Sequence, residues 1–331
     1  MSDLLPIIDR FSGLRIAVWG DFILDEYLYG VTRRISREAP VLILSYKQRE
    51  FSLGGAGNAA LNLAALGVEA RAIGVTGADS AGRTVRRILR GHGVSDASLF
   101  AERSFATPLK TRILAGEENT KKQQILRIDR DGAVPEISAL RSKMRRALEH
   151  AARTCDALLI SDYHFRTVDE GLFAAVLPAF KKAGLPITLD SRFRITRFPG
   201  VTTATPNEPE VEEALKVHLG DDLPLLYESG RRLLKTLRSP ALLITRGSKG
   251  MALFEAAKRP HLIPVHGSTD IVDVTGAGDT VISVFAAALA AGASFRQATR
   301  LANYAGGLVV MKKGTAAVSP DELRKAIASD R

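Results

Sequence analysis

Apolar residues recur along the chain in two rhythms. Short uninterrupted apolar runs closed by Gly, Asp or Asn read as buried strands: "RIAVWGD" from Arg15 to Asp21, "ARAIGVTG" from Ala70, "DALLISD" from Asp156, "LPITLDS" from Leu185, "VTTATPN" from Val201 and "ALLITRG" from Ala241. Between them apolar positions return every three or four residues. That spacing predicts helices over Asn58–Leu66, Ala81–Arg90, Ile137–Arg153, Val168–Ala183, Pro209–His218 and Leu226–Leu237. Strands alternating with helices of this length imply βαβ units, hence an α/β fold whose parallel sheet is covered on both faces.

Two stretches break the rhythm. Residues 27–51 ("YLYGVTRRISREAPVLILSYKQREF") and 104–129 ("SFATPLKTRILAGEENTKKQQILRID") have period-two character around polar turns. They predict short strands forming a small β flap inserted into the main unit, and such flaps act as lids that exclude water. No linker, composition break or internal repeat divides the chain, so residues 1–331 are expected to form one domain.

Composition narrows the class. Apolar residues make up 46% of the 331, enough for a large core. No membrane span is expected, because the one long uncharged run is rich in Ala and Gly. The N-terminal "MSDLLPIIDRFSGLR" lacks a signal-peptide core. A single cysteine, Cys155, excludes an internal disulfide, and six scattered histidines give no zinc spacing. The expected location is the cytoplasm.

The net charge of +10 fits either nucleic acid or a phosphate-bearing substrate. Arg83, Arg86, Arg87 and Arg90 share one helix face opposite Val85, Ile88 and Leu89, which reads as a solvated face. With no nucleic-acid motif and only 6% aromatics, no nucleic-acid partner is expected.

The stretch "DVTGAGDTVISVFAAALAAG" (Asp273 to Gly292) carries candidate chemistry. A helix N-terminus presents free N–H groups and a partial positive charge, and glycine lets backbone approach an anion closely. Gly276, Ala277 and Gly278 therefore suit a phosphate. Asp279 beside them would repel a phosphate that merely bound, but suits a base taking a proton from an attacking hydroxyl. The same residues also fit a capped helix with a glycine turn. No P-loop pattern occurs. "GGAGNAALNLAALG" (Gly54 to Gly67) contains a dinucleotide-like Gly55–Ala60 stretch, but it follows the flap rather than the first strand.

These motifs in this order ("GGAGNAALNLAALG", "TPNEPE", "TRGSKG" and "DVTGAGDTVISVF") resemble the ribokinase-like (PfkB) carbohydrate kinases over essentially the whole length. "GDFILDEYLYGVTRRISREAPV", "LRID" and "LISDY" look most like the heptose 7-phosphate kinases, the kinase module of ADP-heptose synthesis. The resemblance implies a ribokinase-like three-layer α/β/α sandwich with a lid. It also implies transfer of the ATP γ-phosphoryl group to a sugar hydroxyl, the anomeric one of heptose 7-phosphate.

By resemblance, Asp279 is the base, and the N–H groups of Gly276, Ala277 and Gly278 form its anion hole. Asn207 and Glu210 order Mg²⁺ and its waters, a role compatible with a helix cap at the same place. Thr245, Gly247, Gly250 and Asn303 lie along the nucleotide, and Asp273 matches a monovalent-cation position. For the sugar, Asp21 ends the first strand, where open α/β sheets place ligands; Asp25 is the second candidate, with a structural role as its alternative reading, and Gly54, Gly55 and Asn58 match the sugar-binding glycine motif. Lys110 and Arg112, two apart on a flap strand and so roughly 7 Å apart on one side, could grip a substrate phosphate with Arg127; a solvated flap face is the plain reading. Arg33, Arg34 and Arg37 add charge at the other flap segment.

Two departures from the heptose kinases stand out: His164-Phe165-Arg166 after "LISDY", and Ser191-Arg192 after Asp190. Both lie near the expected site edge and bear on which sugar is taken. Because the chain ends soon after the last kinase helix, no fused nucleotidyltransferase is expected. A homodimer through the flap strands is expected by resemblance. The competing readings are another sugar or nucleoside kinase, a nicotinamide-dependent oxidoreductase using Gly55–Ala60, and a non-catalytic sensor on the same fold.

Overall fold

Residues 16–19 send their side chains alternately to the two faces of one strand, and each face has its own core. Ile16 and Val18 join one apolar cluster. Ala17 and Trp19 join the other. The indole N–H of the fully buried Trp19 donates to the Thr167 carbonyl at 3.2 Å. That bond removes the penalty of burying a polar tip while the ring contributes its large apolar area.

The computed structural model describes residues 3–118, 120, 122–267, 272–312 and 314–330. In chain order the first half comprises α1 (Leu5–Asp9), β1 (Arg15–Ile35), β2 (Leu42–Gly55), α2 (Ala56–Ala65), β3 (Glu69–Gly77), α3 (Ser80–Gly91), β4 (Ser95–Glu102), β5 (Leu109–Gly116) and β6 (Gln123–Arg130). Then follow α4 (Ser138–Thr154), β7 (Ala157–Asp162), α5 (Glu170–Lys182), β8 (Ile187–Ser191), β9 (Thr203–Ala204), α6 (Glu208–Leu215) and α7 (Leu223–Leu237). The last part holds β10 (Ala241–Thr245), β11 (Met251–Glu255), β12 (His261–Ile263), α8 (Ala277–Ala290), α9 (Phe295–Val309) and α10 (Pro320–Ser329).

The central strands run in the order β4-β3-β1-β7-β8-β9, all paired in parallel. β10 abuts the end of this sheet: Thr245 N–H donates to the Pro206 carbonyl at 2.9 Å. It then turns back antiparallel into β11 and β12. One core gathers α2, α3, α8, α9 and α10 against the sheet, the other α4, α5, α6 and α7. The result is the three-layer sandwich expected from the alternation.

β1 is three times the expected length and serves two sheets. Its first third pairs with β3 and β7. From Phe22 onward it pairs antiparallel with β2, and from Leu24 in parallel with β5. β6 closes the far edge of this lid, antiparallel to β5. The lid strands thus match the two irregular stretches, although residues 104–108 precede β5 and Asn119 and Lys121 lie outside the described residues.

Three further differences have local causes. β4, β11 and β12 were not expected, because their apolar residues alternate or come in short runs. The run from Val201 yields only the two-residue β9. Of the α3 arginines, Arg86 and Arg90 both pair with Asp96, stapling the helix to β4.

Candidate active site

Everything at the site is arranged around the start of α8. Gly276 caps it at φ 77°, a left-handed conformation that glycine adopts without penalty. A Cβ here would also stand 2.5 Å from Asn58 Nδ2. The turn leaves backbone N–H groups of the first helical residues facing the cleft. The expected anion hole needs one correction: the Ala277 N–H is engaged by the Val274 carbonyl at 3.2 Å. Among the described residues, the N–H groups of Gly276, Gly278 and Asp279 are the ones left free of such a partner.

Asp279 is 5% exposed in the first turn of α8. Its Oδ2 accepts from Asn58 Nδ2 at 2.7 Å, while its buried Oδ1 has no partner. Burial pushes its pKa up to about 7. The Asn58 hydrogen bond pulls against this, Asp25 adds to it, and Tyr163 and Lys110 oppose it. Asn58, expected as a sugar ligand, is thus a partner of Asp279.

Asn58 is in turn fixed by Asn62, whose Nδ2 lies 3.0 Å from the Asn58 carbonyl, and Asn62 Oδ1 accepts from Thr280 at 2.8 Å. Ser283 Oγ lies 3.0 Å from the Ala59 carbonyl. This polar seam between α2 and α8 escaped the sequence reading, although Asn62 one turn after Asn58 was a visible signal.

Asp21 requires the clearest correction. It is 1% exposed, and its carboxylate accepts from the backbone N–H groups of Tyr163 (2.8 Å), Phe165 (3.1 Å) and Thr167 (3.2 Å). It organises the loop after β7 instead of facing a sugar. Burial, then Asp162, raises its pKa to about 6 against those donors. His164 and Arg166 in this loop have φ of 70° and 68°, the left-handed conformation that costs side-chain-bearing residues roughly 1–2 kcal/mol each.

Asp25, four residues further along β1, is close enough for its charge to act on Asp279. It pairs with Arg112 and lies tight against Gly54, where a Cβ would come within 2.7 Å of Oδ2. Gly55 backs onto the ring of Tyr163. Lys110 sits opposite Asp25 in register, with Nζ 5.8 Å from the Tyr163 ring centroid, and burial lowers its pKa.

The remaining expected cations stand further off. Arg127 faces Arg112 across the strands, but its guanidinium holds Asp129 at 2.9 Å. Arg33 and Arg34 lie eight and nine residues beyond Asp25 on β1, roughly 25 Å by strand rise, with Arg37 in the turn past them. These three are too distant to hold a substrate seated on Asp279.

Two cavities share lining residues at the α8 start. A slot of about 240 Å³ is lined by Gly247, Gly250, Met251, Val281, Asn303 and Val310, among others, and is predominantly apolar, as a planar base requires. Asn303 Nδ2 donates to the Pro264 carbonyl at 2.8 Å. Thr245 and Gly278 line both this slot and a wider cleft. That cleft is bounded by Tyr163, Asp190, Arg192, Asn207, Glu210 and Asp279.

Asn207 and Glu210 form a reciprocal cap at α6: Asn207 Oδ1 accepts from the Glu210 N–H at 2.8 Å, and Glu210 Oε2 from the Asn207 N–H at 3.0 Å. One Glu210 oxygen therefore remains for the cleft. Burial raises the pKa of Glu210; burial, then Glu210, raises that of Asp190. A divalent cation near them would relieve this repulsion. Among the described residues no three His, Cys, Asp or Glu side chains form a closed metal cage. An open oxygen set of this kind suits Mg²⁺, which keeps waters and takes phosphate ligands. At Asp273, both carboxylate oxygens already accept backbone N–H groups, from Thr275 at 2.9 Å and Gly314 at 3.0 Å. Burial raises its pKa, but these bonds win and hold it low.

The family description "pfkB family carbohydrate kinase" matches residues 14–322. Bifunctional protein HldE of Pelobacter propionicus is 36% identical over 97% of this chain, and that of Nitrosococcus oceani 39% identical over 97%. The chain spans 65% of the length of each of these relatives. Among solved structures, Arabidopsis thaliana ribokinase complexed with ribose and ATP superposes with a TM-score of 0.73 at 22% identity, covering 95% of this chain and 98% of that one. Escherichia coli phosphofructokinase-2 in complex with substrates and products gives 0.72 at 19%, covering 96% and 99%. No described helix is long and apolar enough to cross a membrane.

Proposed function

This chain belongs to the pfkB family of carbohydrate kinases and is a phosphotransferase acting on a sugar hydroxyl; from that premise we propose that it phosphorylates heptose 7-phosphate at the anomeric hydroxyl, using ATP and Mg²⁺. One observation carries the site assignment. Asp279 has one oxygen fixed by Asn58 and the other buried and unpartnered, at a helix start that opens onto both cavities.

The sugar hydroxyl would donate to the Asp279 carboxylate, whose buried Oδ1 must first be uncovered. Its oxygen attacks the γ-phosphorus, a new O–P bond forms, the bond to the β–γ bridging oxygen breaks, and ADP departs. The proton passes to Asp279. Because the transition state is loose, positioning contributes more than basicity. The free N–H groups of Gly276 and Gly278 stabilise charge on the transferred group. Glu210 and Asn207 would hold Mg²⁺ and its waters, which neutralise the phosphates. The slot behind Thr245 would take the base, with Gly247, Gly250 and Asn303 along it.

The heptose reading rests on the motifs of β1 and β7 and on the lid cations: Lys110 has no carboxylate partner among the described residues and suits a phosphate on the sugar. A monovalent cation at Asp273 is the finer reading of the loop before α8.

An ADP-release assay over a panel of free and phosphorylated sugars tests the proposal. Heptose 7-phosphate is expected to give the highest kcat/KM, and Asp279→Asn to keep ATP binding while turnover falls at least about 10³-fold. A preferred unphosphorylated sugar would reject the substrate, and unchanged turnover in Asp279→Asn would reject the base.

A further inference from the structure

Four arginines of the lid and of the strand ends already carry a carboxylate. Arg112 holds Asp25, Arg127 holds Asp129, Arg194 holds Asp162, and Arg246 holds Glu208. Arg192 does not. It lies in the turn just after β8, its backbone N–H anchored to the Asp162 carbonyl at 3.1 Å. Its guanidinium stands 5.5 Å from the Phe193 ring centroid, and among the described residues it makes no ion pair. Yet it borders the same cleft as Asp190, Glu210 and Asp279.

Arg192 is exposed and, among the described residues, forms no ion pair although three acids border the same cleft, so its guanidinium is available to an anion there. We propose that Arg192 is a catalytic residue that binds the equatorial oxygens of the phosphoryl group during transfer from nucleotide to sugar. The inference rests on the kinase reading above.

Three features support it. First, Arg192, Gly278 and Asp279 line one cleft, so a group held by the Gly278 N–H would share that space with Arg192. Second, Arg192 follows Asp190 by two residues just past the end of β8, and Asp190, Glu210 and Tyr163 border the same cleft. Third, a planar guanidinium matches phosphate oxygens with two parallel hydrogen bonds. Lys110, on the lid side, then remains for a phosphate that the substrate already bears. Arg192 itself makes and breaks no covalent bond. It offsets the negative charge that spreads over the phosphoryl oxygens as the bond to ADP lengthens.

The test uses the full chain with MgADP, and with MgADP plus aluminium fluoride as a mimic of the transferring group. For the wild type, aluminium fluoride is expected to add thermal stabilisation beyond MgADP alone. Arg192→Ala should keep the MgADP shift, lose that increment, and lower kcat about 10²–10³-fold with ATP and sugar KM changed less than about threefold. Arg192→Lys should recover part of kcat, and its MgADP shift certifies the fold should the Ala variant be unstable. An intact increment with unchanged kcat overturns the proposal. So does a KM for heptose 7-phosphate raised tenfold at constant kcat, which would make Arg192 an anchor for the substrate's own phosphate. A wild type that binds no MgADP would instead reject the kinase reading of the site.

Discussion

At the scale of the residue, burial and proton chemistry act on the same carboxylate. Asp279 loses hydration in the α2–α8 interface, which raises its pKa to about 7, while the Asn58 amide stabilises the charged form. The group must be ionised to accept a proton, so kcat/KM is expected to rise with pH through about 7. Asn58→Ala removes a lowering contact, and the midpoint of the pH–rate profile should move upward; a midpoint that stays put would separate Asn58 from the base.

Stability follows the opposite sense. The folded pKa lies above the unfolded value of about 3.9, so the native state binds more protons between the two and the contribution of this group is lost as pH rises through the folded pKa. Asp279→Asn should therefore raise Tm at pH 8 and leave it nearly unchanged near pH 4.

At the scale of the element, β1 is the decisive segment. One continuous strand carries Asp21 at the edge of the central sheet and Asp25 at the root of the lid, so that lid and cleft share a backbone. The lid root separates two cations that sequence spacing makes look alike. The Arg112 side chain is 17% exposed and paired with Asp25 at 6%. Removing one member of such a pair leaves a buried charge, at a cost of about 3 kcal/mol. Arg112→Ala is thus expected to lower Tm markedly. Lys110→Ala should leave Tm nearly constant and raise KM for a phosphosugar about tenfold or more, with little effect on an unphosphorylated sugar. Calorimetry beside steady-state kinetics distinguishes the two, and equal Tm losses would contradict the assignment.

At the scale of the whole molecule, the lid has two unlike faces. Asp25, Tyr27, Lys110 and Arg112 share one. Leu28, Ile113, Leu126 and Ile128 share the other, where Leu126 is 52% and Ile128 54% exposed. An apolar sheet face next to an edge of β6 that is unpaired among the described residues favours a second copy of the chain over water. Light scattering should find a dimer, and the double substitution Leu126→Glu and Ile128→Glu should give a monomer. A monomeric wild type, or a double variant that stays dimeric, would exclude this interface.

Local pattern was enough for the sandwich and the lid strands, and it singled out the α8 start as the place where the proposed chemistry would occur. Hydrophobic period, glycine placement and helix-terminus charge act over a few residues and can be read in order. What the line of residues could not reveal was which groups meet. On paper Asp21 ranks ahead of Asp25 as the sugar ligand. Only the fold turns the first toward three backbone N–H groups and the second toward Arg112. Asn58 and Asp279 stand 221 positions apart and touch because α2 and α8 pack together. That Arg192 has no ion-pair partner among the described residues likewise follows from where its neighbours' partners lie. Periodicity is a property of neighbours in sequence, whereas hydrogen-bond partners and desolvation are settled by neighbours in space.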